Sequence, residues 1–220
     1  MASLVFFDEK HRYELNGEEV PSVSEISRFA SREVYGTTEQ YTLDNAASRG
    51  SAVHKSTEVL DKYGVVECDN YIEPYIRAYV QFRKDYGIKE YLAIEKALAS
   101  ESMKFAGTID RLFVVTEMFA QKFKEQTKVD ISDKIGQLAI IDLKSSSVVQ
   151  KVLAKIQLNG YGLLVTDNNL GDVGVLIIAH LTKEGKYKIH NIDKDPTLFN
   201  SCYALHKAFE KKKRVKKGEQ

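Results

Sequence analysis

Residues 137–144 read Gln-Leu-Ala-Ile-Ile-Asp-Leu-Lys, an apolar run that ends in a carboxylate and an ammonium group. Its length and its branched apolar side chains predict a β-strand. Because side chains alternate along a strand, Asp142 and Lys144 share one face, whereas Ile141 and Leu143 point to the other, which we expect to be buried. A charged pair at the end of an apolar strand is costly unless it is paired or bound to a metal. We therefore expect a functional site at this strand end.

The preceding apolar run, residues 107–115 (GTIDRLFVV), predicts a neighbouring strand. If the two strands pair antiparallel, Asp110 and Asp142 lie at the same end of the sheet. Two carboxylates on adjacent strands form an oxygen-rich site that suits Mg²⁺ or Mn²⁺. Lys144 would hold or deprotonate a water beside the metal, and such a site cleaves phosphodiester bonds. By itself, an Asp-x-Lys sequence is more often explained by a salt bridge at a sheet edge.

The remaining periodicity predicts an α/β fold, in which a mixed central β-sheet is flanked by helices. Further strands are expected at 90–99, 173–181 and 186–192, and helices at 44–63, 69–86, 147–165 and 196–213. The chain opens with an N-terminal β-hairpin, where Asn16-Gly17 is a strong turn signal. Ser22 and Glu25 then match a capping box at the start of a helix.

The chain is expected to form a single domain over residues 1–220, because no internal repeat or Gly/Ser-rich linker divides it. This domain comprises an N-terminal hairpin and helical part (1–88), a catalytic core (89–195) and a C-terminal helix with a basic tail (196–220). The polar stretch 117–136 connects the strand ends away from the two aspartates, roughly 16 Å from them. We expect it to be a mobile projection at the far edge of the sheet and not a lid.

The composition, with 43% hydrophobic residues and a net charge of +1, is that of a globular protein. Residues 207–217 carry seven basic side chains, and without 207–220 the chain has 25 basic and 29 acidic residues. A basic tail on an acidic body is common in nucleic-acid-binding proteins, although a solvated C-terminus explains it as well. No long apolar run or signal peptide is visible. We expect an intracellular, cytoplasmic protein, in the host cytoplasm if it is viral.

Five short motifs follow one another along the chain. They are Gly50-x-x-x-His54 on a predicted helix, Glu95 and Gly107-x-x-Asp110 on predicted strands, Asp142-x-Lys144 at a strand end, and Gln157-x-x-x-Tyr161 on the following helix. Together and in this order they resemble the RecB-type branch of the PD-(D/E)XK nucleases. The segment 20–24 (VPSVS) is similar to small phage and mitochondrial genome-maintenance exonucleases of that branch. The resemblance spans residues 3–165, and Ile109 replaces the proline of the family name, as is common in the branch.

This resemblance implies a restriction-endonuclease-like core and a set of site residues. The implied metal ligands for Mg²⁺ or Mn²⁺ are His54, Asp110, Asp142 and the backbone carbonyl of Leu143. Lys144 would be the catalytic lysine, and Glu95 a further acidic site residue that acts through water. Gln157 and Tyr161 would reach the site or the DNA. No iron–sulfur cluster is expected, since such a cluster needs four ligands and the chain has only two cysteines.

Structural explanations compete with several of these roles. Outside the motif, His54 would be an ordinary helix histidine beside an apolar stripe. Gln157 and Tyr161 lie one helical turn apart, so they share a face and could simply pack there. The serines at 145–147 could bind a phosphate at the start of a helix, but supplying its N-cap is the simpler role.

The predicted function is a metal-dependent DNA exonuclease that acts on DNA ends, with single-stranded DNA as its partner. Recombination, repair or replication would be its setting, and neither a membrane nor a particular protein partner is implied. A structure-specific or flap endonuclease would use the same site. The third possibility is a catalytically idle DNA-binding recombination protein. The intact set of His54, Asp110, Asp142 and Lys144 argues against it, because a decayed nuclease usually loses one of these residues.

Overall fold

The computed structural model describes residues 3–7, 12–36 and 40–218, without the side chains of Phe29, Gln40 and residues 211–218. The basic side chains of the tail beyond residue 210 therefore lie outside this description. Within it, no helix combines the length and the apolar character needed to cross a membrane.

Strands and helices occur where the sequence predicts them, and α2 and α5 add to these. The strands are β1 (Leu4–Phe7), β2 (Arg12–Leu15), β3 (Glu18–Val20), β4 (Ala93–Ser100), β5 (Phe105–Val114), β6 (Leu138–Lys144), β7 (Val173–Leu181) and β8 (Tyr187–Ile192). The helices are α1 (Val23–Ile26), α2 (Arg28–Tyr35), α3 (Gln40–Tyr63), α4 (Glu73–Asp85), α5 (Glu117–Thr127), α6 (Lys151–Asp167) and α7 (Thr197–Gly218).

The strands form two sheets. β1, β2 and β3 form a small antiparallel sheet, and the larger sheet has the order β4-β5-β6-β7-β8. In the larger sheet β6 and β7 pair parallel, and the other neighbours pair antiparallel. Helix α6 connects the parallel pair, because a parallel connection must cross from one end of the sheet to the other. The fold is α/β with a mixed central sheet flanked by helices, as predicted.

Apolar side chains cover both faces of the larger sheet. On one face, α3, α4 and α5 pack over residues such as Ile141 and Ile177. On the other face, α1, α6 and α7 pack over residues such as Ile140 and Ile178. Successive residues of β6 enter opposite cores because strand side chains alternate. Asp142 and Lys144, at the end of β6, belong to neither apolar core.

A hairpin turn shapes the N-terminal sheet, and the capped segment that follows it contacts the larger sheet. Asn16 (φ 53°) and Gly17 (φ 82°) are both left-handed, as a two-residue type I′ hairpin requires. Ser22 Oγ accepts a hydrogen bond from the Glu25 amide at 3.0 Å, and the Glu25 carboxylate accepts one from the Ser22 amide at 2.9 Å, which confirms the capping box. A backbone bridge between Ser22 and Ala106 joins this segment to β5.

The expectation of a mobile projection at residues 117–136 is wrong. Its first half forms helix α5, which begins where the Thr116 hydroxyl accepts a hydrogen bond from the Phe119 amide at 3.2 Å. Phe119, Ala120 and Phe123 are buried in the core shared with α3 and α4. These residues lie on one face of a helix, and this face anchors the segment to the sheet. The many charged residues around them obscured the pattern in the sequence.

The anchoring of α5 can be tested by substitution. Phe123→Ala should lower the free energy of unfolding by about 3–5 kcal/mol, because it empties a fully buried aromatic position. Urea denaturation followed by circular dichroism measures the change. Gln121→Ala, on the exposed side of the same helix, should alter stability by less than about 0.5 kcal/mol. Equal effects of the two substitutions would mean that α5 is not part of the core.

Candidate active site

The pairing of β5 with β6 brings two aspartates together. Arg111 pairs with Ile141 in this antiparallel ladder, which places Asp110 next to Asp142 at one end of the sheet. Asp110 is 7% exposed and Asp142 is 2% exposed. The Leu143 amide donates a hydrogen bond of 2.7 Å to Asp110 Oδ2. The predicted juxtaposition of the two carboxylates is therefore confirmed, and both are buried.

Asp142 is short of hydrogen-bond partners. Its Oδ2 lies 2.8 Å from Lys144 Nζ, which confirms that these side chains share one face of β6. Its Oδ1 accepts no hydrogen bond from any residue that the structure describes. Burial raises the pKa of Asp142 to about 6, against the opposing effect of Lys144. A buried carboxylate oxygen without a donor calls for a partner such as an ion or an ordered water.

His54 enters this strand end from helix α3. Its Nε2 donates a hydrogen bond to the Leu143 carbonyl at 3.1 Å. Its Nδ1 lies 3.3 Å from Glu95 Oε1 and 3.6 Å from Asp110 Oδ1. One ligand atom from each of His54, Glu95 and Asp110 lies within 4.8 Å of the others. The structure thus brings together all four predicted ligand-bearing residues and places Glu95 beside them.

The electrostatics of the cluster indicate a deficit of positive charge. Burial lowers the pKa of His54, but Asp110 and Glu95 raise it more strongly, to about 9. Burial raises the pKa of Asp110 above its ordinary value, and Glu95 raises it further. Burial lowers the pKa of Lys144, yet Asp142 and Asp110 hold it above its ordinary value. Because these groups all retain protons more strongly than usual, the residues present fit a divalent cation, which would replace the protons.

A chain of polar side chains continues from Lys144 to helix α6. Lys144 Nζ donates to Gln157 Oε1 at 3.2 Å, and Gln157 Nε2 donates to the Tyr161 hydroxyl at 2.9 Å. Tyr161 also explains Gly107 in the Gly-x-x-Asp motif. A Cβ at residue 107 would lie 2.9 Å from the Tyr161 ring and 3.1 Å from Val23. The Gly-x-x-Asp motif and the Gln-x-x-x-Tyr motif therefore pack directly against each other.

Arg111 is the main residue of this region that sequence reasoning missed. It is 0% exposed and lies on the opposite face of β5 from Asp110. Its guanidinium donates to Asp61 at 2.6 Å, to Glu95 at 2.9 Å and to the Thr57 hydroxyl at 3.0 Å. The sequence feature that could have identified it is an arginine inside the apolar strand 107–115, because a buried charge needs buried partners.

Glu95 has an unusual backbone for a strand residue. Its φ is 44°, in the left-handed region, although it lies between paired positions of β4 and opposite Asp110. Such a conformation costs about 1–3 kcal/mol in a residue other than glycine and persists only where neighbouring contacts hold it. The contacts of the Glu95 carboxylate with Arg111 and His54 stabilise this backbone conformation.

The serines at 145–147 do not cap the following helix. Helix α6 begins at Lys151, its N-cap is Gln150, and no side chain caps it. The simpler interpretation of these serines is therefore wrong, because three further residues separate them from the helix. Ser145 is instead buried beside the site, and the Ser146 carbonyl accepts a hydrogen bond of 2.7 Å from His180 Nε2.

A cavity of about 970 Å³ opens over the cluster, between the N-terminal sheet, α1, α3 and the end of the larger sheet. It is lined by His54, Glu95, Asp110, Asp142, Leu143, Lys144, Gln157 and Tyr161, and on the other side by residues that include Ser24, Gly50 and Glu58. A second cavity of about 360 Å³ shares Lys144, Ser146 and Gln157 with the first. All the predicted site residues thus line one cavity.

Comparison with known proteins identifies the class to which this site belongs. The sequence model of the PD-(D/E)XK nuclease superfamily matches residues 27–218, so the chain belongs to that superfamily. The predicted family is thereby confirmed, and membership implies a hydrolase that acts on nucleic acid. Members of this superfamily use divalent metals.

Similarity to one solved structure supports the fold. The crystal structure of a provisionally assigned exonuclease from Eubacterium rectale is 18% identical, with a TM-score of 0.50, and the match covers 91% of this chain and 82% of that one. The crystal structure of LHK-Exo in complex with dAMP is 11% identical, with a TM-score of 0.33, and the match covers 90% of this chain and 94% of that one. No curated protein matches the chain.

The raised pKa of His54 predicts a pH dependence for the metal-free protein. Since its pKa is about 9 when folded and about 6.5 when unfolded, its contribution to stability is fully present below pH 6.5 and is lost as the pH rises through 9. Denaturant unfolding in the presence of a chelator, between pH 6.5 and 9.5, measures this loss.

His54→Gln provides the control for that titration, because it should flatten the pH dependence in this window. Asp142, whose pKa is about 6, loses most of its proton below this window. A His54 imidazole that titrates at 6.5 or below in NMR spectra would contradict the predicted electrostatics.

Proposed function

We propose that this chain is a metal-dependent DNA exonuclease of the RecB type, which hydrolyses phosphodiester bonds at DNA ends in recombination, repair or replication. The observation that carries the proposal is the buried Asp142, whose Oδ1 has no partner among the described residues and which lies beside Asp110 and Lys144. A chain folded as one domain over residues 1–220, acting on DNA in the cytoplasm, is part of the same proposal.

The proposed metal ligands are His54, Asp110, Asp142 and the Leu143 carbonyl, and the ion is Mg²⁺ or Mn²⁺. Carboxylate and carbonyl oxygens suit such hard cations, and three of the four proposed ligands are oxygen atoms. A bound ion would polarise the scissile phosphate and activate a water. His54 Nε2 donates to the Leu143 carbonyl, so this ring nitrogen would have to give up that proton in order to hold an ion.

Lys144 is the proposed catalytic lysine. Its ammonium is held between Asp142 and Gln157, and its raised pKa keeps it charged at neutral pH. A charged lysine here stabilises the negative charge that develops on the phosphate and orients the attacking water. Gln157 and Tyr161 fix the direction of this ammonium from α6, and Glu95 adds a carboxylate that can bind through water.

The cavity favours one DNA strand as the substrate. Its volume of about 970 Å³ lies at the upper end of the range for pockets that enclose small ligands. Such a space suits a few nucleotides of a single strand rather than a duplex. The adjoining cavity of about 360 Å³, which Lys144 also lines, would extend the path of the DNA strand. The basic tail would add affinity for the DNA backbone.

Gly50 provides a second argument for a ligand in this space. It lies inside helix α3, one turn before His54, where a glycine costs about 1 kcal/mol relative to alanine. A Cβ at this position would meet no atom within 4 Å, so no protein packing requires the glycine. Gly50 lines the catalytic cavity, and we propose that it keeps room for the DNA strand.

The nuclease proposal predicts that Asp142→Asn and Lys144→Met each lower cleavage at least about a hundredfold while the fold survives, because each removes a ligand or the charge that faces the phosphate. The assay uses end-labelled linear single- and double-stranded DNA with Mg²⁺, Mn²⁺ or a chelator. Asp133→Asn, an exposed aspartate between α5 and β6, is the matched control and should keep full activity.

The products of the same assay distinguish the alternatives. An exonuclease releases short products from linear DNA and leaves circular single-stranded DNA intact, whereas a flap endonuclease cuts at a branch. Wild-type protein that binds DNA but cleaves none of these substrates with either metal would refute the enzyme and favour the idle DNA-binding protein.

Substitution of Gly50 should separate stability from activity. Gly50→Ala should raise the free energy of unfolding by about 1 kcal/mol, and Gly50→Leu should lower kcat/KM at least about tenfold by occupying part of the cavity that Gly50 lines. Gly162→Ala is the matched control: this helical glycine also has open space at its Cβ but lies outside the cavity, so activity should not change. Undiminished cleavage by Gly50→Leu would place the strand elsewhere.

A further inference from the structure

We propose that Arg111 is a positioning residue for the nuclease site, which acts through Glu95 on the orientation of His54. This inference rests on the proposed metal site, because its functional consequence is the affinity for the ion. Arg111 contacts Asp110 only through its backbone carbonyl, hydrogen-bonds to none of the proposed coordinating atoms, and is not among the described residues that line the cavity.

The guanidinium of Arg111 makes two kinds of contact. On one side, Nε donates to Asp61 Oδ2 at 2.6 Å and to the Tyr79 hydroxyl at 3.2 Å, and the rings of Tyr79 and Tyr91 lie 5.8 and 5.7 Å from its central carbon. On the other side, Nη1 donates to Glu95 Oε1 at 2.9 Å and to the Asp110 carbonyl at 2.7 Å. The contacts with Asp61 and Tyr79 hold the guanidinium in place. The contacts with Glu95 and Asp110 connect it to the active site.

Glu95 transmits this position to the histidine. The same oxygen, Oε1, that accepts from Arg111 lies 3.3 Å from His54 Nδ1. The second histidine nitrogen, Nε2, meets the Leu143 carbonyl. Since the ring is held at both nitrogens, the place of Glu95 Oε1 decides how the imidazole is turned. Carboxylates that hold metal-binding histidines in this way determine the ring orientation and the metal affinity.

The backbone of Glu95 indicates that its contact with Arg111 is more than a buried salt bridge for stability. Asp61 shares its negative charge between Arg111, at 2.6 Å, and Arg83, at 2.7 Å, so Glu95 supplies the second negative charge. Glu95 also adopts its left-handed backbone to bring its carboxylate there. A conformation that opposes folding is retained where it serves a site.

Helix α3 makes the arrangement rigid. His54, Thr57 and Asp61 lie at positions i, i+3 and i+7, which is one face of the helix. The Thr57 hydroxyl accepts from Arg111 Nη2 at 3.0 Å and donates to the His54 carbonyl at 3.0 Å. The arginine is therefore fixed to the same helix face that carries the histidine, and any change in its position is passed to His54.

The test compares Arg111→Lys with wild type in two measurements. In the metal-free protein, the imidazole chemical shifts of His54 should move, because lysine cannot reach Glu95 and Asp61 together. In calorimetric titrations with Mn²⁺, the affinity should fall about tenfold or more. Phe123→Ala, which lowers stability in the opposite part of this core, is the control and should leave both readouts unchanged. Thr57→Val, a milder change, should act in the same direction if Arg111→Lys does not fold.

A double-mutant cycle identifies the route. In a Glu95→Ala background, Arg111→Lys should cause no further loss of Mn²⁺ affinity, because the contact through which it acts is already gone. Equal losses in both backgrounds, or unmoved His54 signals in folded Arg111→Lys, would overturn the inference. If the wild type binds no Mn²⁺, the proposed metal site fails, and the His54 spectra of the metal-free proteins still decide the role of Arg111.

Discussion

The close burial of Asp110 and Asp142 at one sheet end is the constraint on which the rest of the site depends. Two carboxylates in a low-dielectric setting repel each other and lose hydration, so positive charge must accompany them. Lys144 and His54 supply part of it, although burial and the neighbouring carboxylates still raise the pKa of Asp110 and Asp142. The site is thus an acidic recess whose residues fit a divalent cation.

Much of this arrangement could be predicted because it follows from local periodicity. Alternation along β6 placed Asp142 with Lys144, and antiparallel pairing placed Asp110 beside them. Helical spacing put Gly50 with His54, and Gln157 with Tyr161. The two cores and the mixed sheet follow from the same patterns, since each strand and helix carries its buried face in its sequence. Family resemblance then joined His54, from a distant helix, to the strand residues.

Features that depend on tertiary contacts could not be predicted in this way. Helix α5 carries Phe119 and Phe123 among many charged residues, and only a partner surface shows that they are buried. Arg111 has no local partner, because Asp61 and Glu95 come from elements 50 and 16 residues away. The left-handed backbone of Glu95 has no sequence signal either, since glutamate in a strand ordinarily has an extended conformation.

The separation of the site residues along the chain has a consequence for the order of folding. Glu95, Asp110 and Asp142 belong to three consecutive strands, and such neighbouring pairings form early because they close short loops. The contact of His54 with Leu143 instead spans 89 residues, and its contact with Glu95 spans 41. Closing the longer loop costs more chain entropy. From loop length alone, we expect the strands that carry the negative charges to pair before the histidine reaches them, so that dissolved cations or protons would favour the collapse of the chain.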